Sequence, residues 1–165
     1  MQSAVVWSLA LVAGPALLLA LQRAFGPDRV DALHHPVAAA LLFLACSSLN
    51  IATGVVLAKN GQGTPLPVAC PRELVVSGPY GYVRNPMAIA GIGQAIAIAL
   101  WFGAVLVLLY AITGAIAWHV IVRPLEERDL QFRFGHAYDA YRVAVPLWWP
   151  RKLLSIRRMA NERHT

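Results

Sequence analysis

Between residues 86 and 122 the chain contains no Asp, Glu, Lys or Arg, and Gly103 falls near the middle of that stretch. An apolar run of this length with one turn residue predicts two antiparallel helices in a medium that excludes charge. Two further runs, 4–21 and 37–58, have the same character. About 18 residues rising ~1.5 Å each approach the ~30 Å thickness of a bilayer's hydrocarbon. Only 13% of the 165 residues are charged and 58% are hydrophobic, against about 25% and 45–50% in soluble domains. The expected fold is all-α and integral to a membrane, a single domain over 1–165. Its four transmembrane helices are predicted at 4–21, 37–58, 86–102 and 104–122, followed by a cytoplasmic helical C-terminal tail. No Lys or Arg precedes the first run and it is long for a signal sequence, so it reads as a span, kinked at Pro15.

Charge is distributed as topology requires. The tail from Arg123 onward holds nine of the 14 basic residues, and Lys59, Arg72 and Arg84 lie in the second loop. Arg23 and Arg29 are the basic residues of the first loop. The positive-inside rule then puts both termini, the second loop and the tail in the cytoplasm. The net charge of +6 is accounted for by these flanks and does not call for nucleic acid. Cys46 and Cys70 have no metal-binding or CxxC spacing. His34-His35 reads as a loop pair at the membrane surface, and no metal is expected. Ser47, Asn50, Thr53 and Gly54 in the second span mark a helix–helix seam.

The loop 60–85 is dense in Pro and Gly, and long loops in small domains are often functional. Leu74-Val75-Val76 within it is a short apolar patch suited to the membrane interface. In the tail, Pro124 followed by Glu126 and Glu127 predicts a helix start with acids in its first turn. Phe134-Gly135 predicts its end. Tyr138, Tyr141 and Val145 share one face of the next turns, and Trp148-Trp149-Pro150-Arg151-Lys152 has the make-up of an interfacial anchor.

Two polar groups sit at the same membrane edge. One is the stretch 78–93, where Tyr80, Tyr82, Arg84, Asn85 and Pro86 lead into a helix carrying Gly91 and Gly93. The other is Glu126-Glu127. The Gly103 turn makes the third and fourth spans neighbours, so Arg84 and the acids should meet. A salt bridge closing the bundle would explain one acid. Against that reading stand two adjacent acids where one would do, with Arg123 and Arg128 already nearby as partners.

These residues resemble a known group. The segment Gly78-Pro79-Tyr80-Gly81-Tyr82-Val83-Arg84-Asn85-Pro86-Met87, then Gly91, Glu126-Glu127, Phe134-Gly135, Tyr138, Tyr141 and Val145-Pro146 resemble the isoprenylcysteine carboxyl methyltransferase and phospholipid methyltransferase family of integral membrane enzymes. The resemblance implies S-adenosylmethionine-dependent methyl transfer to a lipid amine or lipidated carboxylate. It implies a site formed by the start of the third span, the double glutamate and the tail, with 60–85 and 123–151 completing it. Glu126, Glu127 and Arg84 are the catalytic candidates. Tyr80, Tyr82, Arg84, Asn85, Pro86, Gly91, Gly93, Glu126, Glu127, Tyr138 and Tyr141 are the cofactor-binding candidates. The family often has His where this chain has Asn85, and Tyr where it has Ala88. The smaller Ala88 is compatible with a larger lipid-facing pocket or with a weaker cofactor contact.

Arg84 would give paired hydrogen bonds to a carboxylate, and the glutamates would meet cationic groups or ribose hydroxyls. Gly91 and Gly93 allow close approach by a cofactor or a helix, and Tyr80 or Tyr82 could stack on adenine. His119 reads first as a packing residue and second as a base for an amine acceptor. An NADPH-dependent membrane reductase of sterol-reductase type is one alternative. A non-catalytic lipid-binding membrane protein is another. Oligomeric state is left open by the residues.

Overall fold

A computed structural model describes residues 13–26, 30–61 and 73–149. Among them there are helices and no strands. Helix α1 is Gly14–Phe25, α2 is Pro36–Asn60, α3 is Pro86–Phe102 and α4 is Val105–Ala117. In the tail, α5 is Arg123–Phe134 and α6 is His136–Ala144. Short 3-10 turns lie at Asp31–Leu33 and Gly78–Gly81. The first predicted span, 4–21, falls largely outside the described residues, and α1 covers its second half and continues to Phe25.

Helix α2 has 25 residues, about 37 Å at ~1.5 Å per residue, which exceeds a bilayer core. Its buried residues are Ala39, Cys46, Thr53 and Leu57, a single stripe at seven-, seven- and four-residue intervals. The rest of its apolar surface faces outward. Two helices are long and apolar enough to cross a membrane, Pro36–Asn60 and the continuous Val105–Phe134. Only 17% and 11% of their apolar windows are buried in the protein. The core helix of a soluble protein would be mostly buried, so these exposed faces suit lipid. Helix α3 is apolar but shorter, 17 residues.

Helix α2 packs along α3, whose buried residues include Pro86, Ala90 and Ala97. Small residues let membrane helices approach closely. Gly93 takes this furthest, because a Cβ there would overlap the Cys46 sulfur. The seam is tied by hydrogen bonds: Asn50 Nδ2 donates to Gln94 Oε1 at 3.0 Å, and Gln94 Nε2 donates to Ser47 Oγ at 2.9 Å. The seam expected from Asn50 is therefore present, and its partner is Gln94. Gly93→Ala should destabilise the bundle by about 1–3 kcal/mol, the usual effect of overpacking. Adding Cys46→Ala to Gly93→Ala should restore most of the loss, as read by detergent-solubilised thermal unfolding of the two variants. Equal destabilisation with and without the second change would show that the contact is not the cause.

At Gly103 the backbone turns at φ 61°, a left-handed conformation that costs glycine little, and α4 returns beside α3. Gln22 of α1 reaches this turn, where its Oε1 accepts the Leu106 N–H at 3.1 Å. That bond caps α4, whose own preceding residue, Ala104, offers no side-chain cap.

The tail differs from expectation in one respect. Pro124 lies in the first turn of α5 as expected, but no break precedes it. The chain runs on from α4 through a π-helical turn, Trp118–Val122, with right-handed helical angles at both Ala117 and Arg123. A proline inside a helix removes a hydrogen bond and crowds the preceding turn, and the wider π-turn just before Pro124 accommodates that loss. As a result Glu126 and Glu127 project from a helical continuation of the long apolar helix Val105–Phe134. Helix α5 ends at Phe134 as expected. Beyond Gly135, Tyr138, Tyr141 and Val145 form a buried cluster with Leu74, Leu130, Phe134 and Ala144 around it. Leu74 thus packs on the tail, and Val75 is buried too; of that predicted interfacial patch only Val76 is exposed.

Candidate functional site

Three segments distant in sequence converge at the polar end of α3. Loop 78–85 is held by its backbone: the Arg84 N–H donates to the Pro146 carbonyl at 2.9 Å. The Tyr141 hydroxyl donates to the Tyr80 carbonyl at 2.8 Å. Helix α5 supplies the acids. Arg84 Nη1 donates to Glu127 Oε1 at 2.7 Å, and Arg123 Nη1 donates to Glu127 Oε2 at 3.2 Å. Glu127 is therefore clamped by two guanidinium groups. Arg84 and Glu127 are well shielded, with side chains 15% and 18% exposed.

Glu126 is held differently. Its Oε2 accepts from Asn85 Nδ2 at 3.1 Å, and among the described residues no Lys or Arg forms an ion pair with it. Asn85 also caps α3, its Oδ1 accepting the Ala88 N–H at 3.3 Å. One side chain thus ties the start of α3 to the first glutamate. Adjacent residues on a helix diverge by about 100°, which is why the two acids reach different partners.

A small cleft opens between these groups, lined by Arg84, Asn85, Arg123, Glu126, Glu127, Leu130, Tyr138, Tyr141 and Leu147. Arg84 Nε is buried there with no hydrogen-bond partner. An unpaired buried donor is costly and marks a position where an incoming acceptor would be welcome. The Glu126 residue is largely exposed, but its carboxylate is enclosed in the cleft wall. That burial raises its pKa; the Asn85 hydrogen bond opposes the rise and the Glu127 charge adds to it. A carboxyl whose proton is held more tightly when folded contributes stability below its ordinary range and loses it as pH rises through the folded value. Burial, and then the Glu126 charge, push the Tyr80 hydroxyl up to about 12, so Tyr80 stays neutral. Burial likewise raises Tyr138, with the Glu127 charge adding to it, against the Arg84 guanidinium beside it.

Six of the sequence candidates line the cleft together: Arg84, Asn85, Glu126, Glu127, Tyr138 and Tyr141. Tyr80 joins them through Tyr141 and the Glu126 charge. Tyr82 is half-exposed and outside the lining. Pro86 is buried at the start of α3. Gly91 has open space beside it, and Gly93 is committed to the α2 seam. Leu130 and Leu147 were not singled out from sequence. Leu130 was detectable in principle, three and four residues after the acids and so on their helix face. Leu147 carries no such signal.

His119 lies in the π-turn outside the lining, where its Nδ1 accepts the Trp148 indole N–H at 3.3 Å. Trp118 packs edge-on against Trp148 at 5.5 Å between ring centres. Trp148 therefore helps dock the tail, while Trp149 is exposed as an anchor would be.

A family model described as phospholipid methyltransferase matches residues 35–137, more than half of the chain. The match covers α2 through α5 and stops just short of Tyr138. Searches of curated proteins and of solved structures find no significant match.

Proposed function

The chain belongs to the phospholipid methyltransferase family, and from that premise we propose that it transfers a methyl group from S-adenosylmethionine to a membrane-embedded or amphiphilic acceptor, a lipid amine or a lipidated carboxylate. The observation that carries this reading is the convergence of Arg84, Asn85, Glu126 and Glu127 in one cleft at the polar end of the apolar helices. The cofactor is a zwitterion with an additional sulfonium charge. The residues fit such a group. Arg84 offers a buried Nε that is unpartnered among the described residues for a carboxylate, and Glu126 offers a carboxylate that no guanidinium of the described residues pairs with. When bound, S-adenosylmethionine supplies an activated methyl group on a good leaving group, so no nucleophilic side chain is needed.

What the chain contributes is alignment and exclusion of water. Glu127, between Arg84 and Arg123, fixes the orientation of the guanidinium groups. Leu130, Leu147, Tyr138 and Tyr141 form the drier wall. A carboxylate acceptor needs no base. A protonated amine acceptor must lose a proton, and Glu126, with its raised proton affinity, can hold it. In this reading four spans cross the bilayer, both termini and the cleft lie on the cytoplasmic side, and the acceptor arrives laterally from lipid.

Equilibrium binding of labelled S-adenosylmethionine to the purified protein in lipid nanodiscs tests the proposal. Saturable binding is expected, followed by label transfer to a lipid extract. Binding of NADPH in its place would overturn the reading in favour of a reductase. Binding of neither would favour a non-catalytic lipid-binding role.

A further inference from the structure

Pro146, Leu147 and Trp148 form a strap from one membrane-edge helix end to the other. The Pro146 carbonyl accepts the Arg84 N–H at 2.9 Å, beside the start of α3. Leu147 lines the cleft. Trp148 reaches the π-turn at the end of α4, where its indole N–H donates to His119 Nδ1 at 3.3 Å and its ring meets Trp118 edge-on. Trp118 and His119 stand about one helical turn before Arg123, which itself borders the cleft. Trp148 is thus on the side of the cleft nearer the apolar stretch of this helix. Resting on the reading above, in which a lipid acceptor arrives sideways from the bilayer, we infer that the strap is the gate for that entry, with Trp148 as the gating residue and His119 as its latch.

The two ends of the strap are held differently, as a gate requires. Val145, just before it, is buried in the Tyr138 cluster and serves as the fixed end. Trp148 is held by a hydrogen bond between neutral groups and by ring contacts, which contribute modestly, so this end can be released without unfolding a helix. Trp149 beyond it is 83% exposed and adds little packing to keep the strap shut.

The π-turn supplies the seat of the latch, and turns of this kind recur at functional sites. In the π register the Arg123 N–H bonds the Trp118 carbonyl. The His119 carbonyl would then pair with residue 124, a proline without an N–H. Arg123 Nε donates to it instead at 3.1 Å, while Arg123 Nη1 pairs with Glu127. His119 is therefore braced by the arginine that borders the cleft. An imidazole accepts only at an unprotonated ring nitrogen. With Nδ1 occupied by the indole, His119 has no lone pair for an acceptor's proton while the strap is shut. It is a positioning residue.

The test uses the full chain in phosphatidylcholine nanodiscs with a Leu130→Cys reporter in the cleft wall. Two maleimides compete for the introduced thiol: a pyrene derivative that partitions into lipid and a sulfonated one confined to water. Peptide mass separates this site from Cys46 and Cys70. Trp148→Phe keeps a ring against Trp118 and removes the donor; His119→Leu removes the acceptor. Each should raise lipid-phase labelling relative to water-phase labelling about fivefold, the population shift expected from losing one hydrogen bond. His119→Asn, whose Oδ1 can accept in place of Nδ1, should label as wild type does. An unchanged ratio in the first two variants would overturn the gate. So would a parallel rise with both reagents, which reports a loosened tail and not an opened membrane side. If His119→Asn behaved as His119→Leu does, the latch would not be this hydrogen bond. Binding of labelled S-adenosylmethionine should stay within about twofold in all three, and a larger loss would assign the strap to the cofactor site instead. Labelling needs no cofactor, so a wild type that failed to bind S-adenosylmethionine would sink the methyl-transfer reading while the ratio still decided the gate.

Discussion

Arg84→Ala is expected to weaken S-adenosylmethionine binding by roughly ten- to hundredfold, the usual effect of removing hydrogen bonds to a charged group. It should also lower the melting temperature of the ligand-free protein. Both effects have the same origin. Arg84 is the shielded member of the Glu127 clamp, and without it Glu127 keeps Arg123 alone. Breaking a fully buried pair costs about 3–5 kcal/mol; at this partial exposure about 2 kcal/mol is the appropriate scale. Arg84→Lys separates the two effects. A lysine preserves the charge that Glu127 needs but not the planar fork that matches a carboxylate. It should melt close to wild type and still bind the cofactor several-fold more weakly. Wild-type affinity in Arg84→Ala would remove Arg84 from the cofactor site and leave it as a bundle-closing residue.

That salt bridge bears on how far residues alone could lead. A bridge that closes the bundle and a ligand site were competing explanations for Arg84 and the two acids. The structure contains the bridge, but on Glu127, and among the described residues Glu126 has Asn85 as its hydrogen-bond partner instead. Adjacency in sequence concealed the difference, because successive helical residues diverge and partner choice depends on where Asn85 and Arg123 come to rest. By contrast, the helix at 86–102 was legible to the residue, and 37–58 differs from Pro36–Asn60 only at its ends. An uncharged apolar run opened by Pro86, which suits a first helical turn, and closed by Gly103, which suits a helix end, has one outcome. Failures occurred where long-range packing decided. Pro124 opens α5 as its local signs say, but nothing local announces the π-turn that joins α5 to α4 without a break. Leu74 looks interfacial until the tail packs against it.

The tail itself is the subject of the second large effect. Tyr138→Ala should cost about 3–5 kcal/mol, the range for deleting a fully buried aromatic ring, and the loss should be confined to the tail. Tyr138 is 1% exposed and is the centre of a cluster with Tyr141 and Val145. The cluster of Ala99, Ala104 and Val107 at the other end of the bundle shares no residue with it, so the apolar helices have support of their own. With Tyr138 truncated, the Tyr141 bond to the Tyr80 carbonyl and the Pro146 bond to the Arg84 N–H lose their common anchor. Loop 78–85 is then released from the cleft. Proteolysis after Arg142, which depends on local opening, should accelerate by roughly a hundredfold or more, while helical content of the membrane-crossing segments is retained. Cofactor binding should fall with it, even though Tyr138 contributes only part of the cleft wall. Tyr138→Phe is the control, since it keeps the ring and removes only the hydroxyl beside Arg84. It should retain protease resistance and lose at most about 1 kcal/mol. If the alanine variant resisted protease as wild type does, tail docking would rest elsewhere, and the Trp148–His119 contact at the π-turn would be the next anchor to remove.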